Sequence, residues 1–392
     1  MRRALPRYGS FDSRWKTNSS TKLLPVRGQI TRSKLHFPTS AVYAGWMQTE
    51  QEVIGFVSIC LSALLMSKFA SGEGRRGLSR EEVGKPRGAL KAGLDLDWGV
   101  CDDMGPRECM EDTYQVMKGR DHIFASVYDG HGGSGSSQYL RSNFYGFISS
   151  VLMKNRRLLS DATVTVDELH DITKNLFTDV FETADSALID HIASLGDPEC
   201  WSGSTATMCL VGSLRLTCAN VGDSKAVLCR AGKPIELSVD HRPTTLTTSG
   251  RGEIKRVVEA GGWVSQSRVC GVLAVTRALG DYEFKGGRFE LLAELQDMDD
   301  RQAATATMQT PPVISIPHCV TLARSSEDEF LILATDGLWD TMNGAQAVTF
   351  VRTELKKTPD KSMQAVADAL VARALRCRTQ DNVACIVIKL NK

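Results

Sequence analysis

Cysteine is present 11 times, yet no two residues stand in a C-x-x-C pair. Most lie inside apolar runs (Cys209, Cys218, Cys229 and Cys385), where a reduced thiol packs as a small hydrophobe. This spacing supports neither a zinc ribbon nor a disulfide framework, and a reducing compartment is expected. Charge of one sign is also lacking. The 47 Lys and Arg against 46 Asp and Glu leave a net charge of +1, so the global electrostatic footprint of a nucleic-acid binder is missing. Neither a basic groove nor a base-stacking aromatic set is evident. The apolar stretch at 53–66 is shorter than the roughly 20 residues that a membrane span needs, although Lys68 could snorkel and extend it. A buried or interfacial helix and a single span, hence membrane association through 53–66, both stay open.

What is there divides into two parts. Residues 1–91 differ from the rest. Up to Tyr43 they carry Arg2, Arg3, Arg7, Arg14, Lys16, Lys22, Arg27, Arg32 and Lys34 against the single acid Asp12, with Ser and Thr between. That composition fits a transit peptide for a mitochondrion or plastid, and equally a disordered basic tail of a cytoplasmic protein. Residues 71–86, with Gly72, Gly74 and Gly77 among charges, read as a linker. A folded domain is expected over 92–392, starting near Leu94.

The domain is organised around Phe124-Ala-Ser-Val-Tyr-Asp-Gly-His-Gly-Gly133. A buried strand that ends on Asp129 puts a carboxylate at the rim of a sheet. The glycines after it let the backbone turn, so the Gly130 carbonyl can also face a cation. Three further stretches are built alike: the run ending in Gly222-Asp223, Phe330-Leu-Ile-Leu-Ala-Thr-Asp-Gly337, and Asp381-Asn382 just before Val383-Ala-Cys-Ile-Val-Ile388. The pair Glu111-Asp112 lies one hairpin before the Asp129 strand and is placed at the same rim. Asp129, Asp223, Asp336, Asp381 and Glu111 are hard oxygen donors without a competing histidine or cysteine set, which favours Mg²⁺ or Mn²⁺ over Zn²⁺. Two such ions about 4 Å apart can clamp a phosphate and acidify a water between them. Arg107 offers a planar fork for a phosphate dianion, and His131 could protonate a leaving oxygen. Phosphate ester hydrolysis follows as the reaction class.

Helical spacing is expected at 134–154, through Tyr139, Leu140, Phe144, Phe147 and Ile148, and at 167–194, with an acidic start at Asp167-Glu168 that suits the helix dipole. Strands dominate 204–230, a short helix spans 253–260, and two more helices lie at 344–357 and 362–376. Residues 286–310 read as a polar, acidic and irregular insertion loop. Helices and strands come in blocks, which argues for an α+β fold with mainly antiparallel sheets.

The ordered motifs resemble those of the metal-dependent serine/threonine protein phosphatases of type 2C. They are Arg107…Met110-Glu-Asp112, Tyr128-Asp-Gly-His-Gly-Gly133, Gly203-Ser-Thr-Ala206, Val221-Gly-Asp-Ser224, Asp240-His-Arg-Pro243, Gly261-Gly262, Leu273-Ala-Val-Thr-Arg-Ala-Leu-Gly-Asp281, Ala334-Thr-Asp-Gly-Leu-Trp-Asp340 and Asp381-Asn382. The resemblance implies a central β-sandwich of two sheets flanked by helix pairs and a phosphoprotein substrate; the catalytic domain is expected to be monomeric. It implies that Asp129 bridges two ions, with Glu111 and the Gly130 carbonyl on one and Asp336 and Asp381 on the other. Asp112 would hold a water on the metal. Asp223, Asp336 and Asp340 would hold a weaker third ion. Arg107 would grip the phosphate and His131 would be the general acid. Asp281 is read as structural, and His241 as a turn residue.

Departures from the family pattern are Lys225 for Arg and Thr276 for Ser, both read as changes that a surface position tolerates. The stretch after Lys285 is longer than usual, and the Glu-Pro-Glu expected within Val313-Ile-Ser-Ile-Pro317 is missing. Thr310-Pro-Pro-Val313 is similar to the mitochondrial pyruvate dehydrogenase phosphatase branch. Two other functions stay in view: a phosphatase-fold adaptor, which should have lost metal ligands, and a phosphohydrolase of a non-protein ester.

Overall fold

Side chains of His122–Tyr128 alternate between two apolar clusters, so this strand has no wet face. Ile123, Ala125 and Val127 point into one cluster, and Phe124 and Tyr128 into the other. A strand covered on both faces reads as a near-continuous apolar run even in an antiparallel sheet. The computed structural model describes residues 94–155, 163–195, 202–298, 300–357 and 362–391. The basic leader, the 53–66 stretch and the linker expected at 71–86 lie outside these residues.

Ten strands form the centre: β1 (Trp98–Asp103), β2 (Thr113–Lys118), β3 (His122–Tyr128), β4 (Ala206–Gly212), β5 (Arg215–Val221), β6 (Lys225–Arg230), β7 (Lys233–Glu236), β8 (His318–Ala323), β9 (Asp328–Ala334) and β10 (Val383–Lys389). They make two five-stranded sheets, ordered β1-β10-β9-β6-β7 and β8-β5-β4-β3-β2, and every neighbouring pair is antiparallel. The inner faces meet through Ile123, Val127, Val211 and Cys218 from one sheet and Leu228, Leu331, Leu333 and Ile386 from the other.

The helices are α1 (Gly135–Lys154), α2 (Val166–Leu195), α3 (Thr248–Glu259), α4 (Arg288–Asp297), the short α5 (Asp336–Trp339), α6 (Gly344–Lys357) and α7 (Met363–Arg376). The outer face of the β3 sheet is covered by α1 and α2. Leu140, Phe144 and Ile148 recur one turn apart on α1 and pack with Phe177 and Phe181 over Phe124, Tyr128 and Met208. The outer face of the β9 sheet is covered by α6 and α7, where Val348, Val351, Val366 and Leu370 meet Val227, Ile332 and Val387. The result is an α+β fold in which a β-sandwich is flanked by helix pairs. Local signals set the helix starts. Thr165 and Glu168 form a reciprocal capping box: the Glu168 N–H donates to Thr165 Oγ1 at 3.3 Å, and the Thr165 N–H to Glu168 Oε2 at 3.2 Å. Ser362 caps α7 by accepting from the Ala365 N–H at 3.3 Å.

Residues 248–313 pack around an apolar cluster of their own, with Val257, Trp263, Phe284, Leu292, Leu295 and Met308. This corrects the reading of 286–310 as irregular. The stretch contains α4, and a 3₁₀ turn over Ala303–Thr305 follows. Leu292, Leu295, Ala303 and Met308 are buried in it. The dense acids masked the pattern, because only one narrow side of α4, with Leu292 and Leu295, is buried. Among the described residues no helix is long and apolar enough to cross a membrane.

Candidate metal centre

Three strands end at the same rim, and each delivers an acid there. Asp129 follows β3. Its N–H donates to Thr205 Oγ1 at 3.1 Å, and its carbonyl accepts from the Thr205 N–H at 2.9 Å. Asp223 follows β5 through Gly222, which has φ +90°. A Cβ there would run into the Thr205 side chain, so only glycine fits. Asp336 is the first residue of α5, directly after β9 and Thr335. Carboxylate oxygens of Asp129, Asp223 and Asp336 lie within 4.8 Å of one another.

Such crowding is unfavourable without cations. Burial first, then Asp112, Asp336 and Asp223, push the Asp129 carboxyl well above the usual range. Burial and the neighbouring Asp223 do the same to Asp336, against the opposing pull of Arg242. Asp112 is pushed up to about 7, chiefly by burial, with Asp381 adding to it. Its Oδ2 is buried and has no hydrogen-bond partner among the described residues. Crowded carboxylates and one orphaned buried oxygen are what an all-oxygen divalent site looks like without its charge, so the residues present fit Mg²⁺- or Mn²⁺-type ions.

The remaining predicted ligands surround this trio. The Gly130 backbone stands against the 111 loop, where a Cβ would meet the Glu111 carbonyl oxygen at 2.6 Å and Ser137 Oγ at 2.9 Å. The Glu111 carboxylate accepts from the Gly133 N–H at 2.7 Å. Asp381 is ion-paired with Arg107 at 2.6 Å, and Arg107 also donates to the Gln380 carbonyl at 3.0 Å. Arg107 therefore sits at the metal rim and is about half exposed. Asn382 clamps the loop that carries Arg107, Glu111 and Asp112. Its Oδ1 accepts from the Glu111 N–H at 2.8 Å, and its Nδ2 donates to the carbonyls of Met104 and Cys109 at 2.8 and 3.0 Å. Beside Glu111 and Asp112 opens a pocket of about 440 Å³, lined also by Ser134, Ser137, Gln138 and Arg141.

His131 and Asp281 form a pair that sequence reasoning missed. His131 Nε2 lies 2.7 Å from Asp281 Oδ1. Burial alone would depress the imidazole, but the Asp281 carboxylate outweighs it and raises the His131 pKa. Asp281 is buried and left-handed, at φ +49°, a conformation that Asp adopts more readily than most residues. Gly203 makes the pair possible, since a Cβ there would occupy the space of both the Asp281 carboxylate and the His131 ring. The turn is held from behind. Asp185 on α2 accepts from the Gly280 N–H at 2.7 Å and from Lys285 Nζ at 2.7 Å with both oxygens. Only the place of Asp281 in its motif could have signalled this.

Arg242 was likewise missed, inside a stretch read as a plain turn. Its guanidinium bonds to Asp223, to Asp336 at 2.6 Å and to Asp340 at 3.2 Å. Asp340 thus comes to the same rim, on the more exposed side. His241 is buried, and its Nδ1 lies 3.1 Å from the Gly222 carbonyl. Thr276 is not at the surface, which corrects the reading of its exchange for Ser. Its hydroxyl lies 2.9 Å from the His241 carbonyl and 2.8 Å from Glu253 Oε2, sharing its one proton between them, and it is fully buried. A β-branched side chain keeps the hydroxyl that this place requires.

The chain matches the family model described as Protein phosphatase 2C over residues 101–383. It is 33% identical over 302 residues to protein phosphatase 2C 57 of Arabidopsis thaliana, covering 76% of each chain. It is 37% identical over 298 residues to probable protein phosphatase 2C 43 of the same plant, covering 72% of this chain and 63% of that one. Among solved structures, serine-threonine phosphatase 2C from Toxoplasma gondii superimposes with a TM-score of 0.59 at 21% identity. That match covers 76% of this chain and 96% of the other, and it bears on the fold. With the sandwich, the acidic rim and these relatives in agreement, the chain belongs to the protein phosphatase 2C family and is a protein serine/threonine phosphatase.

Proposed function

We propose that this phosphatase hydrolyses phosphoserine and phosphothreonine in proteins by direct attack of water at a centre of two divalent cations, Mg²⁺ or Mn²⁺, with a weaker third. The convergence of Asp129, Asp223 and Asp336 at one rim carries this reading. Asp129 would be shared by both ions, Glu111 and the Gly130 carbonyl would complete one, and Asp336 with Asp381 the other. When bound, the ions neutralise the phosphate and acidify a water. The protein's own groups do the rest. Asp112, whose buried Oδ2 no hydrogen bond engages among the described residues, accepts a proton from the attacking water. Arg107 exchanges Asp381 for the phosphate and holds its oxygens. His131, held protonated by Asp281, donates to the leaving serine or threonine oxygen through the ring nitrogen that Asp281 does not engage.

The test is phosphopeptide hydrolysis by metal-stripped protein. Turnover should vanish in EDTA and return with Mg²⁺ or Mn²⁺. Full activity in metal-free buffer would overturn the reading. The basic, acid-poor leader, together with the Thr310-Pro-Pro-Val313 likeness, supports import into a mitochondrion or plastid. A reporter fused after Tyr43 should enter an organelle, and a diffuse cytosolic signal would reject that.

A further inference from the structure

The guanidinium of Arg242 lies where three carboxylates meet. Nε faces Asp223 Oδ2, Nη2 donates to Asp336 Oδ2 at 2.6 Å, and Nη1 donates to Asp340 Oδ1 at 3.2 Å. One planar fork thus uses all three nitrogens on acceptors from the end of β5 and both ends of α5. These acids are the set assigned above to the weaker third ion. A divalent cation would need their oxygens at about 2.0–2.6 Å, in the space that the like-charged guanidinium fills.

Resting on the metal-phosphatase reading, we infer that Arg242 is an internal counter-ion of this site. The guanidinium and the third cation exclude each other, and the ion binds only when Arg242 swings out. The backbone need not move for this. The His241 N–H donates to the Gly222 carbonyl at 3.0 Å, and the Thr276 N–H to the His241 carbonyl at 2.8 Å, so the loop is anchored beside the arginine. The Arg242 side chain is about one-third exposed, so it has a way into solvent. Leaving breaks three charge-assisted hydrogen bonds, and that loss is subtracted from the affinity of the incoming ion. By reciprocity the same contacts stabilise the metal-free fold, whose acids would otherwise repel one another. Arg107 makes a lesser version of this contact, with one carboxylate and more exposure.

The experiment uses the full chain, with Mn²⁺ as the calorimetric probe, in wild type and Arg242→Gln. The weakest Mn²⁺ step should tighten tenfold or more in the variant. Its melting midpoint in EDTA should fall below wild type, and the gap should close at saturating Mn²⁺. Identical Mn²⁺ affinities at every step would overturn the inference while leaving the metal centre standing. Absence of any Mn²⁺ binding in wild type would remove the metal reading and the inference with it. If Arg242→Gln fails to fold, the wild type decides. The ¹⁵N-arginine Nε–H signal of Arg242, assigned by its loss in Arg242→Lys, should be protected from exchange in EDTA and lose that protection at saturating Mg²⁺. Protection kept in saturating Mg²⁺ would overturn the inference.

Discussion

The sandwich and the small lobe at 248–313 border one site but are built differently. The strands that end on Asp129, Asp223 and Asp336 are buried on both faces, and most of their side chains touch no water. The lobe has strands of two residues, Val264–Ser265 and Arg268–Val269, and short helices. It leaves Val258, Phe289 and Met298 more than half exposed. A rigid layer can hold like charges against their repulsion, because moving one acid would unpack two cores. A lobe with one small cluster is free to vary its outer face. We propose that chemistry belongs to the sandwich and protein-substrate discrimination to the lobe, with the Gly280-Asp281 turn as the seam.

Breaking the sandwich side should have the largest effect. Asp129→Asn should lower kcat on a phosphopeptide by a factor on the order of 10³ or more, with the fold intact. Without metal, the same change should raise the melting midpoint, since it removes one of several mutually repelling buried acids. Near wild-type turnover would break the assignment.

The seam comes next. Asp281→Asn leaves His131 without its charged partner. General acid help is worth roughly 10²–10⁴ on a poor leaving group. A fall of about a hundredfold or more is expected on a phosphothreonine peptide, within that general-acid range, but only a few-fold on an activated aryl phosphate. Equal losses on both would mean that Asp281 only supports the fold.

Stability of the metal-free protein should also depend on pH in a definite sense. Asp112 is raised from 3.8 to about 7, so the folded state binds more protons than the unfolded one between these values. Its stabilisation is complete below the unfolded pKa and is lost as pH rises through the folded pKa. The midpoint in EDTA should therefore drop over that window, and less steeply in Asp112→Asn. Saturating Mg²⁺ should flatten the profile, and a profile unchanged by metal would count against the acidic rim as a binding site.

The smallest effects belong to the lobe's surface. Phe289→Ala with Met298→Ala should lower kcat/KM on the phosphoprotein substrate about fivefold and leave a small aryl phosphate unchanged, as lost uniform binding would. Leu295→Ala goes inside the lobe and should cost about 2–4 kcal/mol. Faster hydrogen exchange confined to 248–313 would show that the lobe opens on its own, whereas uniform acceleration would merge the two regions into one cooperative unit.

Much of the sandwich was legible because its information is local. A run such as Phe330-Leu-Ile-Leu-Ala-Thr followed by Asp-Gly identifies a buried strand ending at a rim, and Ser362 and Thr165 mark helix starts by chemistry that acts over three residues. The acids themselves, and the oxygen-only character of the site, follow from the sequence for the same reason. Their partners do not. His131 and Asp281 are 150 residues apart, and Arg242 reaches Asp340 across 98. Whether two such groups meet depends on strand order and on space. Gly203 leaves room for the His131–Asp281 pair, and Asp185 with Lys285 holds the turn in place. Nor could composition show that Thr276 is buried or that 286–310 contributes to a core, since burial is decided by what the rest of the chain packs against it. The sequence by itself determined most elements of the sandwich and the acids at their ends. Only the tertiary structure decided which charges face each other, because Coulomb interactions and steric exclusion depend on distance in space rather than along the chain.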